Sequence, residues 1–302
     1  MRDKRIELEA LPSLIPPGAT VAIGGAWFSN HPMAAVRELL RAGVRDLHAI
    51  TILGSLEADM LIASGALRHL TFSMVTFEAL GLSLSLRQAI EEGSLATTEI
   101  SSVSLQVAFE AGARNIPFIP MPGPYGSDLV TRFPDVYGTA RSSFDERDVM
   151  AIRAVNPDVA IVHASRCDVR GNAQFDGTYA HDPEIAQASR TVIVTCEEIV
   201  DRDVIAASPH ATKIPGFLVD AVIEVPFGAH PCSHVPAYTA DMWELAAYQE
   251  AIAAGPEARD EYLQRLRAET EAEYRARVLA GDAGGVLAEL ARADVGKPDL
   301  DA

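Results

Sequence analysis

Residues 16–53 read PPGATVAIGGAWFSNHPMAAVRELLRAGVRDLHAITIL, and this stretch decides the fold. Pro16-Pro17-Gly18 is a turn signal. Thr20-Val21-Ala22-Ile23 is a short, β-branched apolar run, the pattern of a buried strand, and Gly24-Gly25 ends it. Pro32 opens a helix, because proline suits a first helical turn. Met33, Val36, Leu39 and Leu40 then recur at helical spacing, and Gly43 stops the segment. Leu47–Leu53 returns to a strand pattern. Strand, loop, helix, strand is the unit of a parallel sheet.

Outward from there the alternation continues. The spacing predicts helices over Ala58–Ser64, Leu84–Glu92 and Val103–Ala113, and strands over Leu70–Val75 and Ile116–Pro120. Residues 121–147, rich in Pro, Gly and polar residues, are expected to form one long loop of the functional or mobile kind. Strands are predicted at Val149–Ile152, Val159–His163, Thr191–Thr195 and Ala221–Val225, with a short helix at Pro183–Ala188 and a hairpin turn at Gly171-Asn172. From Trp243 the pattern is helical. Residues 257–280 alternate charge signs with few large apolar residues, so an exposed surface helix or helical tail is expected. There is no internal repeat or low-complexity block. The expected fold is α/β: a mostly parallel open sheet with helices on both faces and a helical C-terminal extension. The expected division is an α/β domain over 1–245 and the extension over 246–302.

Composition narrows the function. Lys plus Arg number 25 against 42 Asp plus Glu, a net charge of −17 over 302 residues. A phosphate backbone wants a basic face, so nucleic acid is not an expected partner. A local basic pocket for a phosphorylated small molecule is still compatible with that charge. Cys167, Cys196 and Cys232 are far apart and odd in number, which gives neither a disulfide framework nor zinc spacing. With no HExxH and no Cys/His cluster, no metal is expected. No apolar run reaches the ~18 residues of a membrane span. The N-terminus MRDKRIELEALPSL lacks an apolar signal core, so the cytoplasm is the expected location.

Several segments could carry chemistry. Gly24 to Pro32 (GGAWFSNHP) places two glycines at the carboxyl end of a strand, where open α/β sheets bind ligands and backbone can approach closely. The following helix would aim its amides at an anion. The same residues equally read as a tight turn without a ligand, and neither GxGxxG nor a P-loop is present. Glu197-Glu198 reads as a carboxylate at the sheet edge or, more plainly, as an acidic pair favoured by a helix N-terminus. His230, in Gly228-Ala229-His230-Pro231, reads as a proton carrier lining a pocket or as a hydrogen-bonded structural residue, and the plain reading extends to His31 and His163. Ser101 and Ser102 suit helix caps, or donors to a substrate carboxylate or thioester oxygen. No GxSxG elbow marks a serine hydrolase.

Taken together, these segments resemble the A subunit of the family I CoA-transferases, and among them the alpha chain of glutaconate CoA-transferase. The carrying residues are Val21-Ala22-Ile23-Gly24-Gly25 with Pro32 and Ala34-Ala35-Val36, then Arg45-Asp46-Leu47, Asp59-Met60-Leu61-Ile62, Pro117-Phe118-Ile119-Pro120 and Gly126-Ser127. They continue through Val159–Ala164, Ile193–Ile199, Ile214-Pro215-Gly216, Val219–Val222 and Gly228–Pro231. The resemblance implies a ping-pong transfer of CoA between an acyl-CoA and a small carboxylic acid. In it a glutamate attacks the thioester and passes through a mixed anhydride to a glutamyl-CoA thioester. In two-subunit members that glutamate lies on the B subunit, the partner implied here. None of Glu57, Glu78, Glu197 or Glu198 sits in a matching motif, so this chain is expected to be half an enzyme with no catalytic nucleophile of its own. Coenzyme A is then a substrate, with no permanently bound cofactor. The substrate-facing positions implied are Gly24, Gly25, Asn30 and Pro32, Ser101 or Ser102, and Gly126 and Ser127. Where the family usually has an aromatic after Gly-Gly, this chain has Ala26, then Trp27 and Phe28. The apolar segment Phe77–Leu86 reads as acyl-pocket lining or as core.

Two rival readings stand beside this one. The first is a ring-cleaving hydrolase of a CoA thioester; those relatives carry an acid near the position of Ser101 and Ser102. The second is a non-catalytic module of the same fold binding a sugar phosphate or similar ligand, which wants a cation near Gly24-Gly25. The nearest are Arg37 and Arg41.

Overall fold

The computed structural model describes residues 2–282 with Gly285 and Leu287. In chain order the first half runs β1 (Thr20–Ile23), α1 (Met33–Arg41), β2 (Leu47–Gly54), α2 (Leu56–Ala63), β3 (Leu67–Val75), α3 (Leu84–Glu92), β4 (Ala96–Glu99) and α4 (Ser102–Ala113). The middle runs β5 (Phe118–Met121), α5 (Asp128–Arg132), β6 (Tyr137–Arg141), β7 (Asp148–Arg153), β8 (Val159–Cys167) and β9 (Ala173–Gln174). It continues with α6 (Asp182–Ala188), β10 (Thr191–Ile199), α7 (Arg202–Ala207), β11 (Thr212–Ile214) and β12 (Ala221–Glu224). Helices α8 (Met242–Ala253), α9 (Pro256–Ala268) and α10 (Glu271–Gly281) follow.

Seven strands lie parallel in the order β4-β3-β2-β1-β8-β10-β12, and short β9 and β11 join antiparallel beside β8. Strand alternation explains the continuous apolar runs. Val21, Ile23, Val159, Ile161 and Ile193 face the core under α1, α2, α8 and α9. Ala22, Ala160, Val162, Val192 and Val194 face a second core with α4 and α6. A sheet covered on both faces has no polar side to write into its sequence. The α/β architecture with helices on both faces is therefore as expected. After β1 the chain builds outward through β2, β3 and β4, then returns to β1's other flank with β8, β10 and β12. The carboxyl edge between β1 and β8 is thus a topological switch point, where such sheets bind ligands.

Three expectations are corrected. Residues 121–147 are not one loop: they hold α5 and β6, and β6 pairs with β7 in a separate antiparallel sheet of order β5-β7-β6. The strand predicted at Ile116–Pro120 belongs to that small sheet, as β5, not to the parallel one. Its buried Tyr137, Met150 and Ile152 pack with Leu105 and Phe109 of α4. Edge strand β4 has no counterpart in the sequence reading, because none of Ala96-Thr97-Thr98-Glu99 is buried and the apolar signal is missing. Third, residues 257–280 are not an exposed tail. They form α9 and α10, whose Tyr262, Leu263, Leu266, Tyr274 and Val278 are buried in the same core as α1. Few apolar positions are needed, because tyrosine supplies large buried area at each.

The fastening is polar as well. Arg37 of α1 is fully buried. It donates to His230 O at 2.6 Å, reaches Glu271 of α10 through Nε at 3.0 Å and a second, short bond, and lies 3.8 Å over the Tyr274 ring. Removing one partner of a buried, hydrogen-bonded charge pair costs about 3–5 kcal/mol. Arg37→Ala is expected to lower the urea midpoint by several times the effect of Tyr274→Phe, which loses only the 2.8 Å bond to His230, about 1 kcal/mol. Equilibrium unfolding of the two variants checks this.

Candidate active site

The loop from Gly24 to Pro32 leaves β1 at the switch point. Its two glycines are needed, for a reason other than ligand approach. A Cβ on Gly24 would lie 2.5 Å from Asp182 Oδ1 and 2.9 Å from Val162 Cγ1. A Cβ on Gly25, at φ +89°, would lie 2.6 Å from His31 N and 2.7 Å from Ser29 O. The chain itself therefore fills the space that the glycines leave. Both polar groups of the Gly24–Gly25 peptide are held: Gly24 O accepts from His31 Nδ1 at 2.7 Å, and Gly25 N–H donates to Asp182 Oδ1 at 2.8 Å. Behind His31 stands Glu57, with Nε2 and Oε2 3.3 Å apart and both side chains fully buried. Glu57 also accepts from Thr51 Oγ1 and Ser55 N.

Residues 26–29 form a two-residue hairpin, closed by Ala26 N to Ser29 O at 2.9 Å and Ser29 N to Ala26 O at 2.8 Å. Trp27 sits at its first central position with φ +52°, a place normally given to glycine. Its backbone is pinned on both sides, by Trp27 N donating to Leu53 O at 2.8 Å and by Ser55 Oγ donating to Trp27 O. A strained backbone held from two sides is a mark of functional positions. Trp27 is 43% exposed, whereas Gly24, Gly25, Asn30 and Pro32 are buried. The indole is what this loop offers to solvent, while Phe28 turns inward against Phe77.

Asn30 is engaged at both polar atoms of its side chain. Its Nδ2 donates to Thr178 O, and its Oδ1 accepts from His234 Nδ1 at 2.8 Å. His234 Nε2 in turn meets Ser165 Oγ at 3.1 Å, and Ser165 Oγ accepts from Asp176 N at 2.9 Å. This chain of bonds ties the loop to the end of β8 and to residues 176–178. Burial and the neighbouring His163 push the His234 imidazole down to about 3, so it stays neutral there.

Glu197 does not cap a helix; it lies within β10 and points at this network. Its Oε1 accepts from His163 Nε2 at 2.9 Å and Tyr238 Oη at 2.6 Å, and its Oε2 from Phe227 N at 2.7 Å. Burial alone would raise its pKa, but the His163 bond and charge outweigh it and hold the carboxyl down to about 2. Glu198 faces outward, 3.6 Å from Arg166. Ser165, Arg166, Asp176, Glu197, Glu198 and His234 line a small polar cavity of about 280 Å³. Ligand atoms of His163, Glu197 and His234 lie within 4.8 Å of one another, and each ring nitrogen already has a hydrogen-bond partner inside the chain. His230 is not open to solvent as a pocket-lining proton carrier would be: it is fully buried between Tyr274 and Asp241.

The other residues expected from sequence lie on different elements. Ser101 follows β4 at the sheet's carboxyl edge and caps α4, accepting from Ser104 N at 3.3 Å. Ser102 Oγ accepts from Gln106 Nε2. Both serines are partly open. Tyr137 Oη accepts from Ser101 N at 3.1 Å, which brings the small sheet against this corner. Gly126 is exposed on that sheet's flank, and Ser127 caps α5. Sequence reasoning misses Asp182 and His234, which hold the loop from distant segments, and Tyr238, which holds Glu197. Phe77 is fully buried among core side chains, while Leu82 is 65% exposed, so the segment Phe77–Leu86 is divided between core and surface.

A family model for coenzyme A transferase matches residues 7–225. An uncharacterized protein of Archaeoglobus fulgidus is 37% identical over 88% of this chain; the chain spans only 59% of that protein's length. The A subunit of 3-oxoadipate CoA-transferase from Pseudomonas knackmussii is 35% identical over 74% of this chain and 79% of its own length. Glutaconate coenzyme A-transferase of Acidaminococcus fermentans superposes with a TM-score of 0.86 at 28% identity, over 91% of this chain and 92% of that one. The decarboxylase AibA/AibB superposes with a TM-score of 0.81 at 34% identity, over 89% of this chain and all of the matched one. The extent of the family match, the shared fold and the loop built at the switch point agree with the resemblance read from sequence: the chain belongs to the coenzyme A transferase family of enzymes.

Proposed function

We propose that this chain is the A subunit of a two-subunit, cytoplasmic CoA-transferase that moves CoA between an acyl-CoA and a small carboxylic acid. The nucleophilic glutamate would be supplied by the B subunit. The observation that carries this reading is the fate of the glutamates expected as candidates. Glu57 is fully buried and bonded on both oxygens, Glu197 is bonded on both oxygens, and Glu78 and Glu198 are exposed on the surface. The loop is built and held, yet Glu57 and Glu197 are taken up in internal bonds and Glu78 and Glu198 stand at the surface, so this reading looks to a partner for the nucleophile.

In the proposed reaction the partner's carboxylate attacks the thioester carbonyl and expels the CoA thiolate, leaving a mixed anhydride. The thiolate then attacks the glutamyl carbonyl, releasing the acyl carboxylate and leaving a glutamyl-CoA thioester. A second carboxylate reverses both steps. This chain would supply the wall. Gly24 and Gly25 shape the turn, Asn30 and Pro32 brace it from behind, and Trp27 faces the acyl group. Ser101 or Ser102 would donate to the acyl or carboxylate oxygen, with Gly126 and Ser127 across the opening. Coenzyme A enters as substrate and no cofactor is held permanently.

A second reading, hydrolysis or another reaction of the acyl-CoA on the same scaffold, draws on Glu99. This carboxylate is exposed at the end of β4, two residues before Ser101. The sugar-phosphate reading has less to stand on, because Arg37 and Arg41 are both engaged with Glu271, and Arg41 also with Glu38.

Co-expression with candidate partner chains tests the proposal. The co-purified pair is expected to exchange CoA between acyl-CoA and free acid, with neither chain active alone. Steady hydrolysis by this chain alone, abolished by Glu99→Gln, would favour the second reading. Within the active pair, Gly25→Ala is expected to cut kcat/KM by about a hundredfold or more, since a misplaced loop costs that much. Trp27→Ala is expected to change the preferred acyl length while leaving the pair assembled, as compared by kcat/KM across an acyl-CoA series.

A further inference from the structure

We propose that Asp182 is the positioning residue that sets the Gly24–Gly25 turn, acting as a neutral hydrogen-bond acceptor, and that its ionisation switches the turn out of its working state. This deepens the function proposed above and rests on it for the catalytic consequence, though not for the state of Asp182 itself.

The geometry is specific. Asp182, the first residue of α6, has its carboxyl fully buried beneath the loop, 157 residues away in sequence. Oδ1 accepts the Gly25 N–H at 2.8 Å and occupies the space that a Cβ on Gly24 would need. Oδ2 is buried and has no hydrogen-bond partner among the described residues. A buried ionised carboxylate normally collects several donors or a cation. This one has a single amide. A neutral acid, accepting through Oδ1 and carrying its proton on Oδ2, suits that surrounding far better than an anion does.

The charged neighbours agree. Burial is the largest influence and raises the pKa, the Gly25 amide lowers it, and Glu184 on the same helix raises it again, to about 8. The ionisable groups on the elements packed against α6 are His31 in the loop, His163, Arg166 and Cys167 on β8, Glu110 on α4 and Lys213 on β11. None forms a hydrogen bond or ion pair with Asp182, and Arg166 is engaged with Asp176 and Glu198. Above that pH a buried negative charge would appear directly behind the turn. It would tighten its pull on the Gly25 amide and oppose the negative charge that develops on an attacked acyl oxygen. Activity should therefore be full well below pH 8, reach half near it, and fall above it toward about tenfold per pH unit, as the neutral fraction falls.

The test has two arms. In the isotope-labelled full chain, the Gly25 amide resonance is followed across the neutral-to-alkaline range. Wild type should show a titration centred near pH 8. Asp182→Asn, whose side-chain oxygen can still accept the amide but cannot ionise, should show none, and Glu184→Gln should move the midpoint down. In the assembled pair, the alkaline fall in kcat should disappear in Asp182→Asn while KM changes little, an outcome that a merely structural role would not produce. A Gly25 resonance flat in wild type, or an alkaline limb unchanged in Asp182→Asn, overturns the proposal. If the assembled pair turns over no acyl-CoA, the proposed function fails, and the Gly25 titration still decides the state of Asp182.

Discussion

The Gly24–Gly25 peptide is gripped from two sides, by His31 on its carbonyl and Asp182 on its amide. Much of the site follows from that grip. His31 is backed by Glu57 at the start of α2, and Asp182 opens α6 on the opposite face of the sheet. Elements from both layers thus converge on one peptide at the switch point between β1 and β8. The cost is that glycine is required twice and that two acids must be buried. The gain is a loop whose backbone has little freedom, which is what preorganised sites need.

A second tier steadies the same loop from the C-terminal half. The run Thr178, Asn30, His234, Ser165 crosses from the loop to β8, and Glu197 joins His163, Tyr238 and Phe227 beside it. Arg37 then couples α1, which leaves this loop, to α10 and to the backbone at His230. The terminal helices therefore act on the site through packing and hydrogen bonds. Facing outward are the Trp27 indole, Ser101 and Ser102 at the start of α4, Glu99 just before them, and Gly126 on the flank of the small sheet.

Much of this is legible in the sequence. Apolar runs such as TVAI and TVIVT mark strands buried on both faces, and the stop at Gly93 and the cap before α3 lie where local chemistry puts them. Elements without an apolar signature escape such a reading. β4 has no buried residue, and β6 is recognisable only through its pairing with β7, a long-range fact. The site divides in the same way. The loop at Gly24 is visible because its glycines are local. Asp182 is not, because a lone Asp at a helix start is indistinguishable from an ordinary first-turn acid until the fold places it under Gly25. Glu197 reads as a helix-end acid only if the strand stops at Thr195; the strand continues to Ile199 and carries the carboxylate inward.

The central claim is that this chain forms the wall and a partner the nucleophile. Borohydride trapping of the assembled pair with acyl-CoA, followed by peptide mass spectrometry, addresses it most directly. The account predicts a reduced glutamate on the partner chain and none on this one. Modification of any glutamate of this chain, Glu57, Glu78, Glu99, Glu197 or Glu198 included, would contradict it.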